Sequence, residues 1–149
     1  VFMARFTGMS KNILILLLVF IFIAYFNSTT LAYKKKEVTS VSAIYQIDPW
    51  VGKMYETFLK EYRLKMPKKI KLHFAESKNE FFALANVKLD LGAVTVQGTI
   101  VLSDSKVTSQ NRNLLLRELI ILTLQENKRA KEKDKIIVEF FKKYGIKIK

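Results

Sequence analysis

The chain has 149 residues, with 26 Lys and Arg against 13 Asp and Glu for a formal net charge of +13; half of its residues are hydrophobic and only seven are Gly or Pro. That balance excludes a disordered, collagenous or low-complexity chain and fits one packed domain. Zero Cys excludes disulfides, CxxC redox chemistry, iron–sulfur clusters and thiolate zinc sites, and a single His excludes any centre built on two or three imidazoles.

Ile13 to Phe26 (ILILLLVFIFIAYF) is an uncharged apolar run of fourteen residues, preceded by Lys11 and followed by Asn27-Ser28-Thr29-Thr30. As a helix it spans about 21 Å, short of the roughly 30 Å hydrocarbon core of a bilayer, and it matches the length of a signal-peptide core. Thr30 and Ala32 are the small residues of a cleavage site between Ala32 and Tyr33. Residues 1–32 therefore read as a signal peptide or, if the run extends through Ala32, as a signal anchor in the membrane. A second start at Met9 marks residues 1–8 as an over-extended beginning. The expected location is extracytoplasmic, secreted or membrane-anchored, although Lys34-Lys35-Lys36 just beyond the run favours retention on the cytoplasmic side.

The remaining 117 residues, with 24 basic and 13 acidic side chains, are enough for a core. Residues 33–48 show neither a helical nor a sustained alternating period and read as a linker or a short strand, leaving 49–149 as the domain. Trp50, Met54, Phe58 and Tyr62 recur at i+4 and predict a helix that ends before Pro67. Lys69 to Phe74 alternates, with Ile70, Leu72 and Phe74 on one face and Lys71 and His73 on the other, as a half-buried strand does. Ser77-Lys78-Asn79-Glu80 is a capping box opening a short helix. Ala93–Val96 and Thr99–Leu102 flank Gln97-Gly98 as a hairpin or two consecutive strands.

Residues 111–126 (NRNLLLRELIILTLQE) are apolar almost all round a helix, with Arg117, Glu118 and Gln125 confined to one sector about 100° wide, so this helix is buried. A charged loop leads to a last helix with the stripe Ile136, Ile137, Phe140, Phe141 and Tyr144, closed by Gly145 as C′ residue. The expected class is α+β: a mixed sheet of about three to four strands packed on helices around the central helix 111–126.

The order helix, strand, capped helix (IKLHFAESKNEF), cleft-type strands (GAVTVQGTIVLS) and buried helix (LLRELII) resembles the N-terminal half of the gluzincin metallopeptidases, in particular the small peptidase MA-like proteins, over about residues 50–145. The resemblance implies a zincin-like fold in which the family's His-Glu-x-x-His falls on Arg117-Glu118-Leu119-Ile120-Ile121 and its third ligand, a Glu of the next helix, on Glu139. Relatives of this kind continue into a second helical subdomain that forms the other wall of the cleft, a segment this sequence does not reach. Of the motif only Glu118 survives. A guanidinium stays protonated and offers no lone pair, and Ile121 has no donor atom, so Arg117, Ile121 and Glu139 are degenerate ligand positions and no metal or cofactor is expected. His73, alone on a strand face, reads as a solvated or hydrogen-bonded residue.

Two readings of the acids stand: Glu118 and Glu139 as a vestigial pair around a former metal site, with Arg117 supplying the lost positive charge and pairing with Glu139; or Glu118 as part of a polar sector and Glu139 as a solvated residue. Lys128 to Lys149 holds nine basic and three acidic residues, which suits an anionic envelope component or lipid as partner, or simple solubility. Lys outnumbers Arg and the nearby aromatics lie on the apolar stripe, which argues against nucleic acid. No P-loop, dinucleotide fingerprint, nucleophile elbow or EF-hand loop occurs. The expectation is an exported, non-catalytic pseudoenzyme serving as a cell-envelope scaffold or binding protein. The alternatives are an active zinc metallopeptidase with unrecognised ligands and a membrane-anchored basic module on anionic surfaces.

Overall fold

The computed structural model describes residues 11–23 and 34–147. The chain divides into two units, Val1–Tyr33 and Lys34–Lys149. In the first, residues 11–23 are helical (α1), and every one of their side chains is exposed. Among the described residues no helix is long and apolar enough to cross a membrane. The expected cleavage position after Ala32, with Thr30, lies outside the described residues, as do residues 1–8.

The second unit is a mixed α+β fold: β1 (Lys35–Val38), α2 (Val41–Ile47), α3 (Pro49–Tyr62), β2 (Ile70–Phe74), α4 (Lys78–Ala85), β3 (Ala93–Val96), β4 (Thr99–Leu102), α5 (Arg112–Glu126), a single 3-10 turn (Ala130–Glu132) and α6 (Lys133–Lys143). Residues 33–48, read from sequence as a linker or short strand, mostly belong to the fold. β1 pairs antiparallel with β2, placing Val38 opposite Ile70, and α2 buries Ile44. A four-residue strand and a seven-residue helix are too short for periodicity to register, so only the pairing partner reveals them.

The sheet order is β1-β2-β4-β3, with β2 and β4 parallel and the outer pairs antiparallel. Parallel strands need a crossover, and here α4 and β3 intervene between them. β3 turns into β4 at Gln97-Gly98, both with positive φ (49° and 78°), the conformation a two-residue type I′ hairpin requires. Alternation along the strands gives the sheet two faces. The inner face carries Val38, Ile70, Leu72, Phe74, Ala93, Ile100 and Leu102, packed against α3, α5 and α6 in the main core. The outer face is covered in part by α4, whose Phe81 and Ala85 lie with Ala75 and Val101 in a second, smaller cluster. That helix is why His73 is buried although it belongs to the face opposite Ile70 and Leu72.

Caps fix where the helices begin and end. Asp48 accepts the Val51 amide at 2.9 Å with Pro49 in the first turn, so α3 starts where a missing N–H costs nothing. Ser77 accepts the Glu80 amide at 3.1 Å, half of the expected capping box. Glu80 does not return to Ser77; its Oε2 accepts from the Glu76 amide at 3.2 Å, one residue earlier. At the end of α6, Gly145 (φ 65°) donates to Lys142 and Ile146 donates to the Phe141 carbonyl at 2.8 Å, a Schellman closure with Gly145 at C′ as expected.

Candidate functional site

α5 crosses the inner face and packs on α3, β3, β4 and α6. Its burial follows from Leu115, Leu116, Leu119, Ile120 and Leu124, which leave only a narrow polar sector. Gln125 in that sector is exposed and Arg117 half-buried, whereas Glu118 is 6% exposed. The Glu118 carboxylate lies against the edge strand: Thr95 Oγ1 of β3 donates a hydrogen bond to Glu118 Oε2 at 2.8 Å. Burial pushes the Glu118 carboxyl above the ordinary carboxylate range, and the Thr95 hydroxyl and the positive charges of Arg117 and Lys133 offset that only in part.

Further along the helix, Tyr55 of α3 and Thr123 of α5 form a buried hydrogen bond of 2.6 Å. The Thr123 hydroxyl donates to the Leu119 carbonyl at 2.7 Å, and a carbonyl can only accept. Thr123 has then spent its one proton, so the Tyr55 O–H is the donor between the two helices. Burial raises the phenol to about 12.

The single imidazole is elsewhere. His73 pairs with Val101 on β4, on the outer face, whereas Thr95 pairs with Ile100 on the inner face. The sheet therefore separates His73 from Glu118. His73 Nε2 meets Glu80 Oε1 at 2.9 Å, and Lys34 Nζ lies 3.0 Å from Glu76 and 3.8 Å from Glu80. This hydrogen bond from His73 is the chief cause holding the Glu80 carboxyl below its ordinary range. Among the described residues no group of three or more His, Asp or Glu side chains is arranged to hold a metal ion.

The four residues singled out from sequence around the buried helix separate into two places. Arg117, Glu118 and Ile121 share α5, with Arg117 and Ile121 half-buried on the same side of the glutamate. Glu139 does not join them. It is exposed on α6, where its charge acts on Tyr62 of α3. The expected Arg117–Glu139 pair is absent, for among the described residues Arg117 has no ion-pair partner. The reason lies in the α6 stripe: Phe140 stacks edge-on against Phe58 of α3 at 5.4 Å, which turns the neighbouring Glu139 outward to solvent.

Thr95, Tyr55 and Thr123 escaped sequence reading because a hydroxyl residue in a strand or helix has no distinguishing pattern until its cross-element partner is known. Comparison with protein-family models, with curated proteins and with solved structures finds no match. The chemistry available at Glu118 is that of one shielded carboxyl held by one hydroxyl, with a fixed positive charge beside it and no imidazole within its half of the fold.

Proposed function

We propose that residues 34–149 form a zincin-like domain of the gluzincin, peptidase MA-like kind that has lost its metal site and acts as a non-catalytic scaffold or binding protein of the cell envelope. The observation that carries this reading is the hydrogen bond from Thr95 on the edge strand to Glu118 on the buried helix. In the resembled fold, the hairpin strands line the cleft beside the helix bearing His-Glu-x-x-His, and a glutamate reaching the edge strand from that helix fits that arrangement. Arg117 and Ile121 at the two imidazole positions cannot ligate, and a lone carboxylate neither selects zinc nor holds it. With Thr95 donating to Glu118, the carboxylate that would activate water is instead occupied by a fixed protein partner.

Metal analysis of the purified full-length chain after equilibration with zinc and dialysis tests the loss of the site. The expected content is far below one zinc per chain, with no hydrolysis of a mixed peptide library. One tightly held zinc per chain would overturn the reading and favour an active peptidase. Export rests on the apolar run of residues 13–26, and intact mass measurement of the native protein tests it. A chain beginning at Tyr33 outside the cytoplasm, or one that keeps the run as an anchor in the membrane fraction, is expected; a full-length chain confined to the cytosol would refute export.

A further inference from the structure

The outer sheet face beyond the reach of α4 is a groove of about 620 Å³. Its floor follows from the register: Lys35 and Glu37 of β1, Lys71 of β2 and Thr99 of β4 point to the same side, and Val96, Val101 and Leu84 of α4 supply apolar walls. Lys35 and Lys71 are exposed and, among the described residues, have no ion-pair partner; the groove's one carboxylate, Glu37, is taken by Lys69 at 3.1 Å. The floor thus presents uncompensated positive charge beside aliphatic carbon. Leu84, which lines the groove, is 39% exposed. An isolated exposed leucine needs no explanation, but Leu84 beside the half-buried Val96 at the wall of a lysine-lined groove makes a surface with two chemistries.

We propose that this face docks on a bilayer containing anionic lipid, with Lys35 and Lys71 against the headgroup phosphates and Leu84 at the acyl boundary. An interfacial bilayer presents both partners that this face lacks, anion outside for the unpaired lysines and hydrocarbon beneath for Leu84. The order of the chain points to the same occupant. Lys34, where the second unit begins, stands eight residues after Phe26 at the end of the apolar run, so in a chain that keeps this run as a membrane anchor, β1, the groove's outer edge, is the element nearest to the bilayer along the chain. Docking here does not depend on the zincin-like reading, since Glu118 lies on the opposite face of the sheet.

The absence of Cys permits a clean test on the full-length chain. Gln97→Cys, at the hairpin turn lining the groove, and Lys131→Cys, in the turn between α5 and α6, each receive an environment-sensitive fluorophore. Both proteins are inserted into vesicles of phosphatidylcholine alone or mixed with phosphatidylglycerol, each doped with a nitroxide-labelled lipid as quencher. Docking predicts quenching at position 97 that requires phosphatidylglycerol and is relieved by high salt, with position 131 unaffected. Adding Lys35→Glu and Lys71→Glu weakens docking by about 30-fold or more, from roughly a fivefold loss per lysine removed from an anionic surface. Leu84→Ser weakens it without changing its salt dependence. Equal quenching at both positions, quenching in phosphatidylcholine alone, or none at position 97 would overturn the proposal. Shielding of position 97 that grows with protein density in neutral vesicles would assign the face to a second copy and equally overturn it.

Discussion

At the scale of single residues, the interior holds two polar groups whose behaviour follows from who donates to whom. Tyr55 gives its proton to Thr123, which has given its own to Leu119. Tyr55→Phe removes one bond and leaves Thr123 satisfied, at a cost of about 0.5–1.5 kcal/mol. Thr123→Val leaves a buried phenol without an acceptor and costs about 1–3 kcal/mol. Urea unfolding of the two variants checks that order. Because the Tyr55 phenol is raised from 10.0 to about 12, the unfolded chain ionises first, and stability falls as pH rises across that interval.

Glu118 follows the same sign. Its pKa is raised by burial, so in the window above the ordinary carboxylate range the unfolded chain has lost a proton that the folded chain keeps, and stability falls as pH rises through it. Glu118→Gln, which can still accept from Thr95, is expected to be more stable than the parent at neutral pH and to lose that advantage on acidification. Paired unfolding curves from acid to neutral pH test this, since Glu56, Glu61 and Glu80, all lowered, shift both proteins alike in the opposite sense.

At the scale of elements, the closeness of α2 and α3 depends on a missing side chain. A Cβ on Gly52 would sit 2.6 Å from Tyr45 Cγ and 2.8 Å from Tyr45 Cα, and the second of these is backbone that cannot swing away. The Tyr45 hydroxyl also donates to Glu56 at 2.7 Å, holding the ring in place across the two helices. Gly52→Ala gains about 1 kcal/mol of helix propensity but incurs overpacking of about 1–3 kcal/mol with a backbone shift, so a net loss is expected in thermal unfolding. Nothing in the local sequence marks Gly52, because a glycine inside an otherwise regular helical stripe looks like a defect until the neighbouring helix is seen.

At the scale of the molecule, the fold is closed by the segment that looks least structured in sequence. Val38 and Ile44 are buried in the main core, and β1 covers the edge of β2. Deletion of residues 34–48 uncovers Ile70 and leaves β2 as an exposed edge, and the shortened chain is expected to lose cooperative unfolding and resist proteolysis poorly; a sharp transition near that of the parent would show that β1 and α2 are ornamental. Most of the other elements are legible in the amino-acid sequence alone. α3 and α6 repeat at helical spacing, α5 is apolar all round but for one polar sector, β2 alternates, α4 begins at a cap, and β3 and β4 flank the turn residues Gln97-Gly98. Each of these signals resides within a window of a few residues, where backbone geometry alone sets the period of burial. The separation of His73 from Glu118, the outward turn of Glu139 and the hydroxyl that Thr95 presents to Glu118 are decided only by tertiary structure. They depend on which strands pair and which face each helix covers, and those pairings join residues whose separation along the chain carries no local pattern.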